Sequence, residues 1–164
     1  MDGFSRPATL ADVKLLLASL NERNIAYFLI GGYALAAHGY QRATTDIDLL
    51  LPASAEAGVQ VKAALMALPD GAACELIPEW FAEGDTIRVA DAFVVDLMFS
   101  ACGETYETLL PYAETLDLDG IPVQTINLEG LLLTKRTVRE KDVADRLVLE
   151  RAIAEIKAIR QRGQ

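Results

Sequence analysis

The chain has 164 residues, 52% of them hydrophobic, with 24 acidic against 15 basic side chains and a formal net charge of −9. That length and apolar content exclude intrinsic disorder and fit about one domain. The negative balance excludes broad binding to nucleic-acid backbones, which draws on clustered lysine and arginine. Cys74 and Cys102 give neither a disulfide framework nor a metal-ligand spacing. The start, MDGFSRPATLADV, lacks the basic-then-apolar pattern of a signal peptide. No apolar run approaches the ~20 residues of a membrane span, so a cytoplasmic protein with no membrane partner is expected.

In chain order, apolar residues at 10, 13, 16, 17 and 20 keep helical spacing, with Thr9 as N-cap, Asp12 three residues on and Asn24 as the stop. AYFLI (26–30) reads as a short buried strand ended by Gly31-Gly32, and YALAAHG (33–39) as a short helix closed by Gly39. DIDLLL (46–51) is a second strand, stopped by Pro52. Ser54 caps a helix through EAGVQVKAALMAL, which Pro69-Asp70-Gly71 ends. CELI (74–77), TIRVA (86–90) and AFVVDLMF (92–99) are strand candidates, the last two as a hairpin. GETYETLLPYA (103–113) reads as a helical turn or two. ETLDL and IPVQTI flank Asp119-Gly120, a dipeptide favoured in two-residue hairpin turns. Asn127 caps LEGLLLTKRTV, and a longer helix covers 140–160 with acid-before-base pairs such as Asp142 with Arg146. The order predicts an α+β (α/β-like) fold over 1–164 as a single domain. Its core, at about 25–126, is a mixed twisted sheet with helices on at least one face; a C-terminal helical part follows at about 127–160.

The stretch GGYALAAHGYQRATTDIDLLLP (31–52) concentrates the polar chemistry. On a strand, Asp46 and Asp48 face one side with Cα atoms ~7 Å apart, so their carboxylates can converge on divalent cations. A bare pair of this kind is also what two solvated acids at a strand edge look like. Gly31-Gly32, between a strand and a short helix, can hold an anion on backbone N–H groups, or can be an ordinary turn. Arg42, with Thr44 beside it, can grip phosphate oxygens or bridge to Asp46 or Asp48. Asp96 sits inside the apolar run FVVDLMF and needs a partner: a metal shared with Asp46 and Asp48, or an ion pair with Arg88. Lys135 is either a phosphate contact or a solvated helix lysine. Lys141, Asp142 and Asp145 read as a salt-bridged helix face, and His38 as a cap. Tyr33 and Tyr40 read as packing, and Trp80-Phe81 as a candidate wall of an acceptor pocket.

Ile30-Gly31-Gly32, Asp46-Ile47-Asp48 and Asp96, in that order and spacing, resemble the signature of the nucleotidyltransferase superfamily, the polymerase-beta-like fold. The run Arg42-Ala43-Thr44-Thr45-Asp46 and the tail LLLTKRTVREKDVAD are similar to its small bacterial members, among them toxin–antitoxin, abortive-infection and aminoglycoside nucleotidyltransferase proteins. The likeness covers about residues 25–150. It implies a transferase dependent on Mg²⁺, with Mn²⁺ as the alternative, that moves a nucleoside monophosphate from an NTP to an acceptor hydroxyl and releases pyrophosphate. The acceptor would be a small molecule or a protein side chain. Asp46, Asp48 and Asp96 would be the catalytic, metal-binding acids. Gly31, Gly32, Arg42, Thr44 and Lys135 would bind the nucleotide. The same likeness also implies an alternative: a catalytically weak binding protein with a partner of toxin–antitoxin type, or a homodimer. Gly32 departs from the family where many active members carry serine.

Overall fold

The computed structural model of the chain describes residues 5–40, 44–136 and 140–162. Thr9 opens α1 (Leu10–Glu22) with the expected capping box: its hydroxyl accepts from the Asp12 N–H and the Asp12 carboxylate accepts from the Thr9 N–H. Val13, Leu16, Leu17 and Leu20 form the buried face of this helix. Asn24 then takes a left-handed conformation and the chain enters β1 (Phe28–Ile30). Next come α2 (Gly31–Ala37), β2 (Ile47–Leu50) and α3 (Ala55–Leu65), whose N-cap is Ser54 as predicted. A short α4 (Trp80–Glu83) precedes the hairpin of β3 (Ile87–Ala90) and β4 (Val94–Met98). A second hairpin, β5 (Ala113–Leu118) and β6 (Ile121–Ile126), leads into α5 (Leu128–Leu133) and α6 (Glu140–Arg162). Asp119 and Gly120 both have positive φ, the two-residue turn their sequence favours. The Asn127 side chain accepts from the Gly130 N–H and caps α5.

The six strands form one mixed sheet in the order β3-β4-β2-β1-β6-β5. β4 runs parallel to β2, and β1 parallel to β6; the other neighbours are antiparallel. Helices α1 and α3 pack on each other, α1 also on β6, and α5 packs on α6. Ile47, Leu49, Val95 and Leu97 are fully buried in the adjacent strands β2 and β4. Alternation then leaves Asp48 and Asp96 on the less buried side of the same strands. Among the described residues, no helix is long and apolar enough to cross a membrane.

Three elements differ from expectation. CELI forms no strand; Ala72–Glu75 make a 3₁₀ turn instead. The cause is Asp91, whose buried carboxylate accepts from the N–H groups of Asp70 (2.7 Å) and Ala72 (2.9 Å) and ties this turn to the β3–β4 connection. α2 begins at Gly31 rather than Tyr33. Within 103–113 only Leu110–Tyr112 is helical, as a single 3₁₀ turn, and β5 starts at Ala113.

Candidate active site

The parallel pairing of β2 with β4 sets Asp48 directly opposite Asp96. On its other side Asp48 faces Ile30, the last residue of β1. The chain turns there into α2, and Gly31 lies against the Asp48 carboxylate. Gly31 has φ +75°, and a Cβ on it would stand 2.3 Å from Asp48 Oδ2. Only glycine meets both the backbone and the contact requirement. Ile30, the N-cap of α2, has no side-chain acceptor for the first N–H groups of that helix.

Asp46 sits in a bend one residue before β2 rather than on the strand. The Thr45 hydroxyl donates to Asp46 Oδ1 at 3.2 Å, and the Thr44 hydroxyl to the Asp46 carbonyl at 3.4 Å. Arg42 lies outside the described residues.

Arg88 of β3 stands opposite Asp96. Its Nε–H donates to Asp96 Oδ1 at 3.0 Å; Nη2 donates to Asp96 Oδ2 and to Asp46 Oδ2, both at 3.3 Å. The hydrogen bond to Asp96 and that residue's charge hold the guanidinium pKa above its usual value. The arginine side chain is 62% exposed while that of Asp96 is 14% exposed, so the pair spans the rim and the wall of a cleft of about 420 Å³. Sequence reasoning named Arg88 only as the alternative partner of Asp96. The hairpin symmetry would have placed it: Arg88 and Asp96 are each four residues from Ala92, at the centre of the turn.

The same cleft is lined by Gly31, Gly32, Thr44, Asp46, Asp48 and Asp96, and by Lys135 after α5. Lys135 is not a solvated helix lysine. Its Nζ lies 3.3 Å from Asp142 Oδ1 and 3.1 Å from Asp145 Oδ2, and all three side chains are buried. Arg146 donates to the Lys135 carbonyl, so three side chains of α6 fasten it to this point. Other flagged residues lie elsewhere. His38 Nε2 is 2.9 Å from the Ile126 carbonyl, and His38 and Tyr40 line a separate cleft beside α6. The Tyr33 hydroxyl donates to the Ala8 carbonyl. Phe81 is core, and Trp80 is half-exposed in a small cleft next to Arg88.

Hard oxygen donors of this kind suit Mg²⁺, which takes one or two carboxylates together with substrate phosphates. Asp48 and Asp96 are neighbours, and Asp46 and Asp96 already share one positive charge, that of Arg88. The donor set therefore fits a divalent cation in kind. Among the described residues, however, no three His, Cys, Asp or Glu side chains are drawn together as a finished metal site.

No family model matches the chain, and no curated protein matches it in sequence. Solved structures do match. The crystal structure of ANT(2'')-Ia in complex with adenylyl-2''-tobramycin superposes with a TM-score of 0.57 at 17% identity, covering 94% of this chain and 98% of that one. The solution structure of the antibiotic-resistance factor ANT(2'')-Ia gives 0.51 at 16%, covering 93% and 97%. At such identities the likeness is one of fold, and it extends over nearly the whole of both chains. The chain therefore shares the fold of ANT(2'')-Ia, an α+β fold with a mixed six-stranded sheet.

Proposed function

We propose that the protein transfers a nucleoside monophosphate from an NTP to an acceptor hydroxyl, with release of pyrophosphate and dependence on Mg²⁺. The observation that carries this reading is the register that places Asp48 against Asp96, with Asp46 beside them and Gly31 under the Asp48 carboxylate, in one open cleft. The shared fold with ANT(2'')-Ia, solved with an adenylylated compound, supports it.

In this mechanism the Gly31-Gly32 backbone and Thr44 hold the polyphosphate, joined by Arg42. Lys135 faces the same phosphates; an ammonium has three donors, and its two ion pairs leave capacity for a phosphate oxygen. Asp46, Asp48 and Asp96 would hold Mg²⁺, which when bound neutralises charge on the transferring phosphoryl group. Asp96 takes the proton of the acceptor hydroxyl. The acceptor oxygen forms its bond to the α-phosphorus as the bond from that phosphorus to pyrophosphate breaks. The acceptor is a small molecule or a protein side chain.

A second reading is a catalytically weak, antitoxin-like binding protein that presents the fold as an interaction surface to a partner of toxin–antitoxin type or to a second copy of itself. It is favoured by one observation: Arg88 already neutralises two of the three acids. Incubation with NTPs labelled at the α-phosphate, Mg²⁺ and cell extract separates the two. Transfer predicts a labelled acceptor that is lost with EDTA and in Asp48→Asn; its absence, together with no NTP binding by calorimetry, overturns the enzymatic reading.

A further inference from the structure

We propose that Arg88 is the resident counter-cation of the carboxylate cleft, that a divalent metal must displace it from Asp46 and Asp96, and that it then moves into the neighbouring cleft beside Trp80. The inference rests on the nucleotidyl-transfer reading of the site.

The two cations compete for the same atoms. Arg88 uses both carboxylate oxygens of Asp96 and Oδ2 of Asp46. These oxygens are the ones a metal held by Asp46, Asp48 and Asp96 would draw on, and a guanidinium and a metal ion repel each other at such range. The arginine holds Asp46 and Asp96 in its own geometry.

Arg88 is free to leave. Its side chain is 62% exposed, and β3 is the outer strand of the sheet, so the swing needs no movement of the core. A destination adjoins it. Arg88 also lines a second cleft of about 330 Å³ with Trp80, Glu83, Asp85 and Thr86. There the indole face can stack with a guanidinium and the two carboxylates can replace those it gave up. The arginine thus has two sets of partners on either side of one strand end, and the metal decides between them.

Two measurements on the full chain test this. Titration of Mn²⁺, followed by the paramagnetic resonance of the free ion, compares the native protein with Arg88→Gln and Arg88→Lys. Arg88→Gln is expected to bind Mn²⁺ about three- to tenfold more tightly, the scale of a rim ion pair made with several contacts, and Arg88→Lys to fall between. Trp80 is the sole tryptophan of the chain, so its fluorescence reports the destination. Mg²⁺ is expected to change its emission in the native protein and not in Arg88→Gln. Equal Mn²⁺ affinity, to within about twofold, in native protein and Arg88→Gln overturns the proposal, as does Mg²⁺ binding that leaves native Trp80 emission unchanged. The second arm needs only native protein, so it stands even where Arg88→Gln does not fold. If no metal binds either protein, the nucleotidyl-transfer reading fails with it; if label is transferred but Arg88→Gln gains no affinity, this inference alone fails.

Discussion

Asp48 and Asp96 face each other without offset where β2 pairs with β4; Asp48 also faces Ile30 and lies against Gly31, and Asp96 also faces Arg88. Like charges set opposite on adjacent strands oppose folding, so the pair is retained at a cost to stability. Asp48→Asn and Asp96→Asn are each expected to lower labelled-NTP transfer about a thousandfold or more, since several kcal/mol of charge stabilisation is lost. Asp96→Asn also loses the charge of the Arg88 pair, so its thermal midpoint is expected to gain less than relief of the facing like charge alone would give. A variant of either acid with undiminished transfer would remove that residue from the mechanism.

Gly31 and Gly39 give a matched comparison. Both have positive φ, +75° and +96°, but a Cβ on Gly31 meets Asp48 at 2.3 Å while one on Gly39 meets nothing within 4 Å. Gly39→Ala is expected to cost about 1–2 kcal/mol of backbone strain and to leave transfer intact. Gly31→Ala adds overpacking of about 1–3 kcal/mol and pushes the Asp48 carboxylate off position. Urea denaturation reads the difference in stability, and transfer is expected to fall at least about tenfold only for Gly31→Ala. Equal losses at the two sites would mean the Asp48 contact is unimportant.

Much of this was legible in the sequence because local chemistry and tertiary structure agree. Thr9 and Asp12, Ser54, Asn127 and Asp119-Gly120 each did what their side chains favour. Asp96 was legible because a carboxylate inside FVVDLMF needs a partner, and the structure supplies one in Arg88. CELI was misread because four apolar-rich residues suit a strand or a turn equally; the deciding group is Asp91, fourteen to seventeen residues downstream, which takes up the neighbouring N–H groups. For Lys135 only the solvated alternative falls, and for a similar reason. Nothing local shows that Asp142 and Asp145, on a different helix, fold over it and pair with its ammonium.

Acid stability carries a signature of Asp12. Hydrogen bonding to Arg6, and then to the Thr9 N–H and hydroxyl, lowers its pKa to about 2 from 3.8 against an opposing cost of burial. A carboxyl whose folded pKa is depressed stabilises the fold fully above its unfolded value and loses that contribution as pH falls toward the folded one. Native protein is therefore expected to lose urea resistance between about pH 4 and 2 more steeply than Asp12→Asn, whose position 12 does not titrate. Parallel pH profiles for the two proteins would show that the Arg6 pair contributes nothing to the fold.

Lys135 holds the largest concentration of buried charge among the described residues. Its side chain is 9% exposed, those of Asp142 and Asp145 2% and 5%. Lys135→Met removes the cation of that trio and leaves two buried carboxylates without its charge, which is expected to cost about 3–5 kcal/mol. For a chain of this length each kcal/mol moves the thermal midpoint by about 2–4 °C, so the drop is large enough to read by calorimetry. Replacing all three together, Lys135→Met with Asp142→Asn and Asp145→Asn, removes the carboxylate charges that the lysine balanced and is expected to restore part of the loss, while the Arg146 bond to the residue 135 carbonyl stays available. If Lys135→Met costs less than about 1 kcal/mol, water reaches the trio and it is not what fastens α6 to the cleft.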